Sequence, residues 1–171
     1  MRRVFGITGW KNSGKTTLTE KLVTELVARG WTVSTVKHAH HDFDIDKPGA
    51  DSFRHRQAGA TEVAIVSGRR WALMHELRGE NEPTLDDILA RLAPSDIVLV
   101  EGYKRQAHKK IEARRLEARD RTPLSANDPN IVAIAADFTV EAETLPVFDL
   151  DDTKSIADFV ERSTGLVAQT K

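Results

Sequence analysis

Four residues in the stretch "GWKNSGKTT" stand at a spacing suited to holding a polyphosphate. Gly9, Gly14, Lys15 and Thr16 satisfy G-x-x-x-x-G-K-[ST]. Glycines let backbone N–H groups converge on phosphate oxygens with no Cβ in the way. Lys15 can bridge the β- and γ-phosphates, and the Thr16 hydroxyl can ligate Mg²⁺. The blander alternative is a glycine-rich turn that only caps a helix. A Mg²⁺ ion needs further oxygen donors, expected where a second buried strand ends. "DIVLVEG" supplies Glu101 there, followed by Gly102, where an aspartate is more usual. Solvation of a strand end is the competing explanation for that carboxylate.

The second stretch able to do chemistry is "KHAHHDFDIDKPGADSFRHRQAGA", residues 37–60. It holds four of the six histidines (His38, His40, His41 and His55) interspersed with Asp42, Asp44, Asp46 and Asp51. Three readings are open. Imidazoles beside carboxylates are a transition-metal donor set. A switch loop would use Asp42 or Asp44 to orient the attacking water against a γ-phosphate. A solvated loop is the third. The formal charges of residues 37–56 cancel, four basic against four acidic, so this is no simple charge patch. The switch or substrate loop is the favoured expectation, with Asp42 and Asp44 as catalytic candidates beside Lys15.

Elements must bring these residues together. "RVFGITG" reads as a buried strand running into the phosphate loop. The helix behind it carries Leu18, Leu22 and Leu26 at i, i+4 and i+8, with Gly30 placed to end it. "WTVSTVKH" is the next strand, so residues after Val36 should emerge at the carboxyl edge of the sheet, beside the phosphate loop. A short helix starts at Asp51, with a capping residue expected in front. "EVAIVS" and "RWALMHEL", separated by "GRR", predict a hairpin that adds antiparallel strands at a sheet edge. "TLDDILARLA" is a Thr-capped helix, and "DIVLVEG" and "NIVAIAAD" are buried strands. "LPVFDL" is a last short strand and "DTKSIADFVERST" a closing helix. "KKIEARRLEA" fits strand or helix equally. Strands alternating with helices predict a three-layer α/β P-loop nucleotide-binding domain, its sheet mainly parallel with antiparallel edge strands.

Composition sets bounds on this. The 171 residues suffice for one domain, residues 1–171, with a proper core. Net charge is −1, so no overall field attracts nucleic acid, and none is expected as a partner. The absence of cysteine excludes disulfides and thiolate metal sites. No apolar run approaches the ~20 residues of a membrane helix. The expectation is a cytoplasmic, soluble protein without a membrane partner.

The stretches "GITGWKNSGKTTL", "KHAHHDFDIDKPGADSFRHRQAGA", "RRWALMHEL", "DIVLVEGYK" and "PNIVAIAAD" together resemble the molybdopterin-guanine dinucleotide biosynthesis protein B family, from about Phe5 to Asp137. The phosphate loop alone is generic; the His/Asp run followed by "WALM" and "VEGYK" is far more specific. The resemblance implies a GTP-binding P-loop protein with weak GTPase activity, often a homodimer. It would act as an adaptor to the guanylyltransferase that joins GMP to molybdopterin, with molybdopterin itself a further ligand. By position, Asn12, Ser13, Gly14, Lys15, Thr16 and Thr17 then hold phosphates and Glu101 is the strand-end acid for Mg²⁺. Ala50 departs from the family's usual lysine between "PG" and "DS" and removes an anion contact.

Guanine rests mainly on that likeness. Reading it takes a carboxylate that accepts from N1–H and the exocyclic amine. The chain lacks Asn-Lys-x-Asp and offers Asn127, Asp128 and Asp137 within "SANDPNIVAIAAD". The basic stretch of residues 104–121 carries eight Lys or Arg against three acids. It reads first as a solvated strand or hairpin, and second as a surface for phosphorylated pterin or an acidic partner. The rival activity is a small-molecule kinase with Arg54, Arg56, Arg69 and Arg70 in a mobile lid. A non-catalytic nucleotide-sensing scaffold is a third reading.

Overall fold

The computed structural model describes residues 2–39, 43–141 and 144–167. In chain order the elements are β1 (Val4–Thr8), α1 (Lys15–Ala28), β2 (Val33–Lys37), α2 (Asp51–Gln57), β3 (Glu62–Val66), β4 (Trp71–His75), α3 (Leu85–Arg91), β5 (Ile97–Glu101), β6 (Lys110–Arg114), β7 (Ile131–Ala136), β8 (Val147–Asp149) and α4 (Thr153–Thr164). The chain forms two compact units. One comprises Met1–His38 with Ile88–Lys171, and the other Ala39–Asp87.

The larger unit is built on a six-stranded sheet of order β2-β5-β1-β6-β7-β8, every pairing parallel. The mainly parallel α/β architecture expected from the alternation of strands and helices is therefore present. A parallel sheet demands cover on both faces, which is why β5 reads "IVLVE" and is buried throughout. Phe5 and Ile7 of β1, Ile97 and Leu99 of β5 and Ile111 of β6 point to one face. There they meet Leu18, Leu22 and Leu26 of α1 and Ile156, Ala157 and Val160 of α4. The i, i+4, i+8 leucines form a single buried stripe, as their spacing predicts. Gly30, at φ 92°, ends α1. Asp152 caps α4 by accepting a hydrogen bond from Ser155 N–H. Arg29 at the end of α1 bonds Asp158 and Glu161 of α4 and ties the two helices together.

The opposite face around β6 is polar and also buried, which corrects the reading of a solvated segment for residues 110–114, whereas residues 105–107, 116, 117 and 119–121 are exposed. Lys110 (0% exposed), Glu112 (1%) and Arg114 (8%) alternate with Ile111 and Ala113 along a strand held between β1 and β7. Chain segments following β5 and β6 cover them. Lys110 Nζ donates to Lys104 O and to Asp128 Oδ2, both at 2.8 Å. Glu112 accepts from Leu124 N–H (2.9 Å), Ser125 N–H (3.0 Å) and Arg114 Nη2 (2.8 Å). Partners 11 to 18 residues away make these charges compatible with burial. A local sequence pattern cannot show them.

In the smaller unit β3 and β4 form the expected antiparallel hairpin, from Glu62↔His75 to Val66↔Trp71. They constitute a separate two-stranded sheet and do not extend the edge of the six-stranded one. Arg56 of α2 organises the unit. Its guanidinium bonds both oxygens of Asp44 at 2.9 Å and Glu76 Oε1 at 2.8 Å, and lies 5.5 Å from the Phe53 ring centre. Ala50 occupies the N-cap of α2, so no side chain caps that helix. At Thr84 the expected cap is present: Asp87 N–H donates to Thr84 Oγ1 and Thr84 N–H to Asp87 Oδ2.

Candidate functional site

The loop joining β1 to α1 leaves the carboxyl edge of the parallel sheet and returns as a helix N-terminus, an arrangement that presents N–H groups to an anion. Its backbone demands the residues found there. Gly9 sits at φ 146°, and a Cβ on it would lie 2.5 Å from Ala113 O and 2.4 Å from Ser13 Oγ. Any side chain at Gly9 would push the loop off β6. Asn12 adopts φ 63°, a left-handed conformation that asparagine tolerates well. Ser13 is buried with its hydroxyl unpartnered, as is the hydroxyl of Thr8 at the loop's entrance. Buried orphan hydroxyls inside a loop of this kind suit a ligand rich in oxygen acceptors. Thr17 is exposed on the first turn of α1.

Lys15 Nζ donates to Trp10 O at 2.6 Å, folded back on its own loop. Half-burial pushes its pKa below the ordinary lysine value; Glu101 opposes that shift, and Lys104 and Lys37 add to it. Thr16 Oγ1 donates to Glu101 Oε1 at 2.8 Å. The sheet register explains the meeting, because Ile7 and Lys37 both pair with Glu101 across β5. Two hard oxygen donors in contact are what a Mg²⁺ ion would take, with waters and phosphate oxygens completing its shell. The donor set fits that ion.

Two further lysines belong to this neighbourhood and lie outside the glycine-loop motif. Lys37 Nζ lies 3.3 Å from the same Glu101 Oε1. Lys104 Nζ sits 3.9 Å above the Trp10 ring, and Trp10 Nε1 donates to Thr122 O at 2.8 Å. The strand that ends in Lys37 is legible in the sequence, but its position level with Glu101 comes from the pairing of β2 with β5.

The remaining candidates are placed as follows. Asp44 lies in the smaller unit, its carboxylate held well below the usual range by the Arg56 bond and by Asp46 N–H. Asp42, His40 and His41 lie outside the described residues. Among the described residues no three His, Asp or Glu side chains converge as a metal set. Asp128 stands before β7 with both oxygens engaged: Oδ2 accepts from Lys110, and Oδ1 accepts from Asn130 N–H and Nδ2. Reading guanine through Asp128 would require breaking that buried ion pair. Asp137 follows β7, accepts from Leu116 N–H at 2.8 Å and pairs with Arg115 at 3.3 Å. Asn127 N–H closes a turn onto Leu124 O. Of the arginines suggested for a kinase lid, Arg56 is already committed to Asp44 and Glu76.

Among the described residues no helix is long and apolar enough to cross a membrane. The family model for molybdopterin guanine dinucleotide synthesis protein B matches residues 4–137. The molybdopterin-guanine dinucleotide biosynthesis adapter protein of Escherichia coli (strain K12) is 38% identical over 159 residues, covering 92% of this chain and 90% of that protein. The protein of the same name from Haemophilus influenzae is 40% identical over 161 residues, covering 92% and 87%. A crystal structure of a MobB protein homolog from Bacillus stearothermophilus is similar with a TM-score of 0.73 and 33% identity, over 96% of this chain and 99% of that one. The likeness spans the phosphate loop, Glu101 and the strands between them, and the chain belongs to the molybdopterin guanine dinucleotide synthesis protein B family.

Proposed function

We propose that this chain is an adapter in molybdopterin-guanine dinucleotide biosynthesis that binds Mg²⁺–GTP at the Gly9–Thr17 loop and hydrolyses it slowly. It acts in the cytoplasm as a homodimer beside the guanylyltransferase that attaches GMP to molybdopterin. The names of its relatives support the adapter role. The observation carrying the nucleotide reading is the 2.8 Å bond to Glu101 Oε1 from the hydroxyl of Thr16, the residue next to Lys15. A bare helix cap has no use for a carboxylate brought in from 85 residues away.

In this reading Lys15 exchanges Trp10 O for β- and γ-phosphate oxygens. Thr16 and Glu101 hold the metal, which supplies charge neutralisation to the polyphosphate. Asn12, Ser13, Gly14 and Thr17 line the phosphates with N–H and O–H donors. Asp42 or Asp44 orients the attacking water.

Titration of the purified protein with labelled GTP and ATP, with and without Mg²⁺, tests the reading; GTP is expected to bind more tightly and with Mg²⁺ dependence. Indifference to Mg²⁺, or equal binding of ATP, would count against it. Glu101→Gln is expected to lower Mg²⁺-dependent hydrolysis more than metal-free nucleotide binding. If Glu101 only solvates a strand end, both change together or neither does. Asp44→Asn is expected to keep GTP affinity within a few-fold and to lower turnover. A melting curve on the same variant separates that loss from weakening of the Arg56 pair.

A further inference from the structure

Glu101 Oε1 has two partners on the protein at once. Thr16 Oγ1 donates to it at 2.8 Å, and Lys37 Nζ lies 3.3 Å from it. The carboxylate is nearly buried, whereas the Lys37 side chain is 60% exposed. A lysine so free to extend into water gains little from an ordinary surface ion pair. Here it leans inward over the oxygen that the nucleotide reading assigns to the metal. Positive charge is also in excess: Lys37 and Lys104 both act on Lys15, with Glu101 opposing them there and Asp120 acting on Lys104. Such an excess of positive charge suits a polyanion.

We propose that Lys37 is a phosphate-facing cation of the nucleotide site, holding the Thr16–Glu101 pair in place in the metal-free protein and lending positive charge to the polyphosphate. The proposal rests on the nucleotide-binding reading above. A Mg²⁺ ion held by Thr16 and Glu101 would itself supply positive charge beside that carboxylate, so the weight carried by Lys37 is greatest when metal is absent.

The test is GTP affinity of the wild type, Lys37→Met and Lys37→Arg, each measured in EDTA and in saturating Mg²⁺. Lys37→Met is expected to weaken GTP binding in EDTA by about three- to tenfold, the range for a charge-assisted contact at a partly exposed site. The loss shrinks in Mg²⁺, and Lys37→Arg retains most of the EDTA affinity. Lys37 ends a strand with its side chain in solvent, so Lys37→Met should fold, and its melting curve verifies this. Wild-type affinity of Lys37→Met in EDTA overturns the proposal and leaves the nucleotide reading standing. An equal loss in EDTA and in Mg²⁺, unrescued by arginine, overturns it too. Failure of the wild type to bind GTP in either condition overturns both readings.

Discussion

Glu112→Ala is expected to lower folding stability by about 3–5 kcal/mol, the usual cost of removing one partner from a buried charge pair. Glu112 accepts three hydrogen bonds in a space from which water is excluded. Its loss deprives the buried Arg114 guanidinium of a bonded carboxylate and orphans the N–H groups of Leu124 and Ser125. Each orphaned group carries a desolvation cost of about 1–3 kcal/mol. Glu112→Gln should recover little, because its amide N–H₂ would face a donor where the carboxylate now accepts. Domains of this kind hold about 5–15 kcal/mol in total, so the variant should unfold far earlier in urea. The segment between β6 and β7 should also become protease-sensitive first, since Glu112 pins Leu124 and Ser125 to the sheet. An unfolding free energy from the urea curve within about 1 kcal/mol of wild type would mean other contacts hold that segment, a surface-like result for a buried pair.

The same strand shows where the sequence stops being readable. In "KIEAR", charges alternate with Ile111 and Ala113, the usual pattern of a strand with one wet face. Nothing within ten residues reveals that the wet face is covered. The partners Ser125 and Asp128 come from the connection that follows. Local signals did locate what depends on local chemistry: the glycine loop, the leucine stripe of α1, the Thr84 cap and the apolar β5. Hairpin pairing is equally local, and β3–β4 was legible. Whether a hairpin joins a larger sheet is a long-range choice, and the edge position expected for it was wrong. Lys37 stands between these cases. Its strand was recognised, but its place opposite Glu101 follows only from the strand order β2-β5-β1.

Lys15→Ala is expected to abolish tight triphosphate binding while the fold stays intact. Lys15 is half-exposed at the first turn of α1 and takes no part in the apolar core, so its removal leaves no cavity among Leu18, Leu22 and Leu26. Its ammonium donates to Trp10 O, a bond that lies within the loop. The loop's glycine geometry and the Thr16–Glu101 bond do not depend on it. Binding does, because the ammonium is the group that can bridge two phosphates. Charge-assisted hydrogen bonds contribute about 1.5–3 kcal/mol each, so losing even one lowers affinity by about ten- to a hundredfold. Lys15→Arg should not restore it fully, since a planar guanidinium does not fit where a compact ammonium folds back to 2.6 Å from Trp10 O. Isothermal titration with GTP, paired with a melting curve, checks the prediction. Near-wild-type affinity in a folded Lys15→Ala protein would show that the loop caps a helix and holds no polyphosphate. In that event the Thr16–Glu101 bond would be a strand-to-helix tie, and the adapter role would rest on protein contacts alone.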